Sequence, residues 1–490
     1  MTETPPYGRW PKWGIWLAIL SICGLRFFYL TADFPNFSRW MIDQAKYTDE
    51  GWWASGAVLH HLLGRWVLPG DYNPVVALPV FPLLLDALFD FTGVSIVAAR
   101  ALDVLASVVT LGLVYLLVRR YSTDMAATLA TLLLAASPFA YVFSRLAILD
   151  TLVVFEFCLL LLVASYASTV RWATICLLAL LIPVTVLTKT TAAFLLPAVL
   201  WLAWAAMKTK VRHRLVAATL VALVSGSLFK VYASWVTRHG FGLDYQYFFS
   251  VNRQPGIAWK ESWGTLSQIL KDGMWIDRIL FPLGLVLLML SLLWLRRLWT
   301  NPLFTASWIA IGGQAVFLFL RQDDYPPRYF LVMLVPLILI VALAAEELRR
   351  RQRTAHLLMM TTLAIVLVVN LSQIFAMVYH RTFQFYDAAT SIGRIVKGDS
   401  ARNPMICGVS AGEIFLVTGV PSISDVYGTQ ELSEKLLLYR PGWFLAWNGI
   451  DPEMRPALSR FRVEEVATYP VFDDEDRNHL ILYRMDFRVQ

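Results

Sequence analysis

"DQAKYTDEGWW", residues 43–53, follows the first long apolar segment and sets two adjacent carboxylates, Asp49 and Glu50, against Trp52 and Trp53. Acids followed at once by indoles suit a water-facing loop pressed against a membrane, where aromatic rings sit at headgroup level. The composition of the whole chain agrees. Its 490 residues are 58% hydrophobic and only 16% charged, whereas a soluble protein carries about 25% charged residues. Lipid must absorb the excess apolar surface, which excludes the soluble classes. The net charge of +7 would suggest nucleic acid in a soluble protein. Here the Lys and Arg residues gather at the ends of apolar runs, which is a topology signal, and no nucleic-acid partner is expected. Cys23, Cys158 and Cys176 lie in apolar runs and Cys407 has no evident partner, so no disulfide framework is implied.

A spanning helix needs roughly 20 mostly apolar residues. Working outward from the loop, the sequence offers about eleven such spans: 13–30, 97–118, 125–143, 149–168, 172–187, 190–207, 214–236, 279–295, 303–320, 329–345 and 357–378. The first is followed by "FPNFSRWM" rather than a small-residue cleavage site and is read as retained. The segment 75–93 carries Pro74, Pro79 and Pro82 at or beside its first turns, with Asp86 and Asp90 further on, and is read as a membrane-surface or partly inserted helix. With Arg9 and Lys12 in the cytoplasm, alternation places Arg119–Arg120, Arg171, Lys208 to Arg214, Arg296–Arg297 and Arg349 to Arg353 on the same side. That obeys the positive-inside rule, and a twelfth span at 75–93 would break it.

The same alternation gathers a second set of charges on the extracytoplasmic side: Asp49 and Glu50, Arg145 and Asp150 in "SRLAILD", Lys189 in "LTKTT", the loop 237–276, and "RQDDYPPRYF". Polar groups at a hydrophobic boundary are costly and commonly mark a site. Each has a structural reading beside the chemical one. Asp49 or Thr48 can cap a helix whose positive end favours acids; equally, helical neighbours point about 100° apart, so one carboxylate can face a hydroxyl as general base while the other orients it or meets a cation. Arg145 and Asp150 can be an ion pair at a helix junction, or an oriented phosphate ligand. Lys189 can snorkel, or meet an anion. In "RQDDYPPRYF", with Arg321, Asp323, Asp324, Tyr325 and Arg328, two prolines stiffen the approach to Arg328, which suits a fixed phosphate ligand. The His60–His61 pair lacks the i, i+4 spacing of a two-His metal site, and "DDEDRN" at 473–478 reads as a solvated turn.

Beyond about residue 380 the composition becomes that of a soluble domain. Strand-like runs at 405–409, 443–447, 462–471 and 479–485 flank a helical stretch near 429–440, so an α/β domain over 380–490 is expected to follow a membrane domain over 1–379 whose first extracytoplasmic loop covers about 31–96.

The acidic pair, "GDYNP…LPVFPLLLDALFDFTGVSIVAAR", "SPFAYVFSRLAILD", "LTK" and "YPPRYFLVMLVP" together resemble the GT-C membrane glycosyltransferases, nearest to the protein O-mannosyltransferase family and the bacterial lipid A aminoarabinose transferases. The resemblance spans roughly residues 10–345. It implies an all-α polytopic fold and an inverting enzyme that takes a hexosyl or pentosyl group from a polyprenyl-phosphate carrier to a lipid, glycan or protein hydroxyl. It also implies Asp49 as catalytic base with Glu50 beside it, and Arg145, Asp150, Lys189, Tyr325 and Arg328 as substrate-binding residues. A divalent cation is a possible cofactor, with no metal ligands assigned. The Lys-Pro-Pro of the aminoarabinose transferases is missing near Asn73–Pro74, and the repeated lumenal domain of the eukaryotic enzymes is absent. The expected location is a bacterial inner membrane, with the site and C-terminal domain outside the cytoplasm. A polyprenyl-lipid flippase is the alternative, and predicts charges through both leaflets and internal repeats.

Overall fold

The computed structural model describes residues 12–35, 43–168, 171–252, 262–321, 325–474 and 477–487. Its first half runs Lys12–Arg26 (α1), Asp49–Leu63 (α2), Val80–Thr92 (α3), Ile96–Tyr121 (α4), Asp124–Ala135 (α5), Pro138–Phe143 (α6), Leu149–Ser165 (α7) and Arg171–Thr188 (α8). Then come Leu196–Ala206 (α9), Val211–Arg238 (α10), Gly242–Val251 (α11), Ser262–Asp272 (α12), Leu280–Leu293 (α13), Pro302–Arg321 (α14), Leu331–Arg351 (α15) and Arg353–Tyr379 (α16). Helices occupy all the predicted spans. The stretches Ile96–Tyr121, Val211–Arg238, Pro302–Arg321, Pro327–Arg351 and Arg353–Gly398 are long and apolar enough to cross a bilayer; others are shorter apolar helices of 10–17 residues. The chain is an integral membrane protein.

The expected single span at 125–143 is two helices. Ser137 caps α6 by accepting from Ala140 N, with Pro138 in the first turn, so α5 must end before it. The carbonyls freed there would be costly in an apolar setting. Arg26, wholly buried, donates to the carbonyls of Leu134 (3.3 Å), Ala135 (3.0 Å) and Ala140 (3.4 Å) and to Ser144 Oγ (3.0 Å). The segment 75–93 forms a short 3-10 turn and α3, which packs beside α2; Asp86 on α3 meets His60 Nδ1 on α2 at 2.8 Å.

One helix is the central post. The stretch Pro327–Arg351 is 94% buried, against 17–44% for the other four long candidates, which keep an apolar face for lipid. One end of this post carries Arg328 and the other the pairs Arg349–Glu346 (2.9 Å) and Arg351–Glu347 (2.5 Å). Arg120, Arg297 and Arg350 line one cleft at that second end. From Arg100 to Arg120, α4 rises about 30 Å at 1.5 Å per residue, so the clustered basic residues and the acidic loop lie at opposite ends of the bundle.

The C-terminal region continues Gln384–Gly398 (α17), Ile406–Cys407 (β1), Ala411–Thr418 (α18), Ser422–Ile423 (β2), Leu432–Tyr439 (α19), Trp443–Trp447 (β3), the short helix Arg455–Leu458 (α20), Phe461–Asp474 (β4) and Arg477–Phe487 (β5). The sheet order is β2-β1-β3-β5-β4, parallel from β2 to β3 and antiparallel beyond. Strands fall at the four predicted runs; α17, α18 and the two-residue β2 were not foreseen. This small domain grips the first loop. Tyr47 packs against both Phe385 (4.4 Å) and Trp447 (5.7 Å), which also meet each other (6.5 Å). Asp71 accepts from Ser424 N (3.0 Å) and pairs with Lys435 (3.2 Å), both ends buried. Gly51 meets the backbone of Gly412 where α2 crosses α18, and a Cβ at Gly51 would sit 2.2 Å from Gly412 C. Gly51→Ala is therefore expected to destabilise this contact by about 1–3 kcal/mol, the usual cost of overpacking. Thermal unfolding and limited proteolysis of the C-terminal region, compared with wild type, would measure it.

Candidate active site

Asp49 opens α2, and its carboxylate is 4% exposed. Thr48 does not cap the helix; its hydroxyl donates to Asp49 Oδ1 at 3.2 Å. Arg328 spans two carboxylates: Nη2 reaches Asp49 Oδ2 at 3.0 Å, while Nη1 pairs with Asp43 and the backbone N donates to Asp43 Oδ2 at 2.9 Å. The Arg328 guanidinium is thus fixed at both ends, as the stiff Pro326–Pro327 approach suggested. Burial pushes the Asp49 carboxyl above its ordinary range, while the neighbouring Arg328 charge works in the opposite direction.

Asp150 and Lys189 form the second pair, Nζ to Oδ1 at 2.5 Å, at the mouth of α7 and the end of α8. Both act electrostatically on Asp49, so the two ion pairs are neighbours. Tyr329, whose carbonyl accepts from Gln314 Nε2 at 2.7 Å, collects three cations around its ring: Lys189 at 4.7 Å, Arg321 at 5.0 Å and Arg328 at 5.3 Å. Such packing is favourable for each cation, and Asp43, Asp49 and Asp150 balance the charge of Arg328 and Lys189.

Aromatic side chains from the loop and the C-terminal domain build the facing wall. Trp52 meets Tyr72 at 5.7 Å and Tyr427 at 5.2 Å, and Tyr72 meets Tyr427 at 5.4 Å. Burial, and next the negative Asp49, hold both phenols above their ordinary range, so they remain hydrogen-bond donors.

Two expectations on single residues change. Asp150 does not pair with Arg145. Arg145 instead donates to Tyr141 Oη (2.6 Å) and to the carbonyls of Phe28 (2.8 Å) and Tyr29 (2.7 Å), because the turn at 144–148 points it toward the end of α1. Glu50 faces away from the Asp49 pairs. It is wholly buried, held bidentately by Arg100 at 2.7 and 2.5 Å, and accepts from Ala147 N at 2.7 Å. It meets a cation, one of the two uses open to it, and orients the site from behind. Tyr325 is 6% exposed and belongs to the main apolar cluster. Asp323 and Asp324 lie outside the described residues. Among the described residues no group of three His, Cys, Asp or Glu is arranged to hold a metal ion.

Sequence reasoning gave no role to Arg100, Asp43 or Tyr427. Arg100 had a usable signal, since Arg100 and Asp103 stand one turn apart inside an otherwise apolar helix, and such groups need partners. Asp43 and Tyr427 join the site only through long-range folding.

With the geometry defined, comparison places the chain in a class: it has the GT-C fold. It aligns with ArnT from Cupriavidus metallidurans bound to undecaprenyl phosphate at a TM-score of 0.60 and 14% identity, over 96% of this chain and 98% of that one. The archaeal oligosaccharyltransferase AglB from Archaeoglobus fulgidus, in complex with an inhibitory peptide and a dolichol-phosphate, aligns at 0.54 and 14% identity, over 98% of this chain and 77% of that one. Residues 73–235 match the family model described as dolichyl-phosphate-mannose-protein mannosyltransferase. No curated sequence matches the chain.

Two outcomes follow from the buried groups. Glu50→Ala strands Arg100 and is expected to cost about 3–5 kcal/mol, the penalty for breaking a buried pair, read as a fall in the unfolding midpoint. Glu413 on α18 is buried beside Glu50, and burial, followed by the Glu50 charge, pushes its carboxyl well above the ordinary range. The folded state therefore holds a proton that the unfolded chain releases. The stability this group contributes is fully present at or below the ordinary Glu range and is lost as pH rises toward the raised folded value. In a pH series of melts Glu413→Gln should flatten that decline and melt higher than wild type near neutrality.

Proposed function

We propose that this chain is an integral membrane glycosyltransferase that moves a sugar from a polyprenyl-phosphate carrier to a hydroxyl acceptor on the extracytoplasmic face, with Asp49 as general base. The observation that carries this is one buried carboxylate, Asp49, paired with Arg328, which shares the Tyr329 ring with Lys189 and Arg321. The family match over 73–235 and the fold shared with carrier-bound structures support it.

The acceptor hydroxyl is a poor nucleophile. Asp49 takes its proton as the new C–O bond forms at the anomeric carbon, and the opposite C–O bond breaks, so that configuration inverts. The electron pair leaves on the carrier phosphate. A phosphate needs charge stabilisation rather than a proton, and in this reading Arg328 and Lys189 supply it. The ion pairs with Asp43 and Asp150 keep both cations in position before carrier arrives. The aromatic wall of Trp52, Tyr72 and Tyr427 offers flat faces and hydroxyl donors to a sugar ring. The acceptor is a lipid A-type lipid, another envelope glycan or lipid, or a protein Ser or Thr.

Sugar transfer from synthetic polyprenyl-phosphate sugars, assayed in detergent beside carrier binding, tests this. Asp49→Asn should lower transfer by about 10²–10⁴-fold, the typical contribution of a positioned base, and leave carrier binding near wild type. Transfer by wild type should rise with pH along an acid limb whose midpoint lies above the ordinary carboxylate range, because the base must be ionised and burial raises its pKa. Carrier translocation across vesicles without any transfer would replace this reading with the transporter.

A further inference from the structure

Away from Asp49, at the same end of the bundle, the end of α1, the α6–α7 turn and the end of α16 enclose a cavity of about 60 Å³. That volume holds several water-sized probes and so a phosphoryl group. Two guanidinium side chains line it, Arg145 and Arg381, together with a single carboxylate, Asp33. Among the described residues neither arginine pairs with a carboxylate. Arg145 is met only by the Tyr141 hydroxyl and two backbone carbonyls, and its buried Nε donates to nothing. Arg381 lies over the Tyr29 ring at 3.8 Å and donates to Val378 O at 2.8 Å. Asp33 is already engaged by Thr382 Oγ1 at 3.1 Å and Phe385 N at 3.2 Å.

The backbone is held in an uncommon form to make this place. Tyr29 has φ +56°, a left-handed conformation unfavourable for a bulky aromatic residue. The constraint turns the Phe28 and Tyr29 carbonyls to one guanidinium and leaves the Tyr29 ring under the other. The surroundings are those of a lipid boundary. Phe28 and Tyr379 are 57% and 81% exposed, and an apolar groove along Phe375, Val378 and Tyr379 runs into the cavity at His380 and Arg381.

We propose that Arg145 and Arg381 form a seat for the phosphate headgroup of an anionic membrane phospholipid, with its acyl chains along the groove on α16, separate from the Asp49 site. Two guanidinium groups against one carboxylate, already hydrogen-bonded elsewhere, over a cavity of this size suit phosphate oxygens, for which arginine has the matching donor geometry. The adjoining apolar groove selects a lipid over a free anion.

The test uses the full chain in detergent, stripped of lipid and offered phosphatidylglycerol, phosphatidylcholine, polyprenyl phosphate or inorganic phosphate, with bound species read by native mass spectrometry. Wild type should retain one phosphatidylglycerol in preference to phosphatidylcholine. Arg381→Gln and Arg145→Gln should each weaken that retention roughly tenfold, Arg381→Lys should restore part of it, and Arg350→Gln at the far end should change nothing. Polyprenyl phosphate retention should be the same in wild type and Arg381→Gln. Arg381 is exposed, so its variant decides the matter even if Arg145→Gln fails to fold. Equal retention of phosphatidylglycerol by wild type and Arg381→Gln would overturn the proposal. So would selective loss of polyprenyl phosphate, which would make this the carrier's seat, or full displacement of lipid by inorganic phosphate, which would make it a site for the free anion.

Discussion

The bidentate pair between Glu50 and Arg100 is the interaction on which the Asp49 end of this molecule depends. Arg100 sits on α4 with 5% exposure and spends its remaining donors on the carbonyls of Leu30 (2.6 Å) and Ala32 (2.9 Å). Glu50 spends its spare lone pair on the amide of Ala147. One buried ion pair therefore joins the exit from α1, the start of α2, the start of α4 and the turn before α7. Those are the segments that carry Asp49 and Asp150. A buried pair of this kind adds little net stability over apolar side chains, but it is intolerant of losing one partner. What it supplies is position.

Charge around the reaction centre is arranged in two tiers. Arg328 is paired with both Asp43 and Asp49, and Lys189 with Asp150, which lowers the cost of holding these cations in a half-apolar setting, and both lie with Arg321 around the Tyr329 ring. The loop and the C-terminal domain cover this cluster with the aromatic rings of Trp52, Tyr72 and Tyr427. In the proposed reaction, fixed cations would meet the developing charge there.

Much of this was legible from residues alone. Apolar runs of spanning length have no other outlet than lipid, so helix positions followed directly, and strands such as 443–447 stood out once the hydrophobic density fell. Charged residues stranded at apolar boundaries named Asp49, Asp150, Lys189 and Arg328 for the same reason. Their pairing was not legible. Arg145 and Asp150 are five residues apart, yet the turn between them sends one toward α1 and the other toward α8, and a change of a few dihedral angles decides that. Nor could Asp43 and Arg328, or Asp71 and Lys435, be matched across hundreds of residues without the fold. The break at Ser137–Pro138 inside the span 125–143 was not foreseen, since the partner that satisfies the carbonyls it exposes, Arg26, lies more than a hundred residues away in sequence.

The crossing of α2 over α18 has a consequence for motion. Gly51 and Gly412 bring two backbones together with no side chain between them, two residues from Asp49. Packed side chains let neighbouring elements trade rotamers and settle in a second arrangement; two bare backbones have no rotamers to trade. At this crossing α2 and α18 can shift against each other only by sliding or parting, a shear rather than a repacking. Their spacing there is set by the thickness of the polypeptide chain itself.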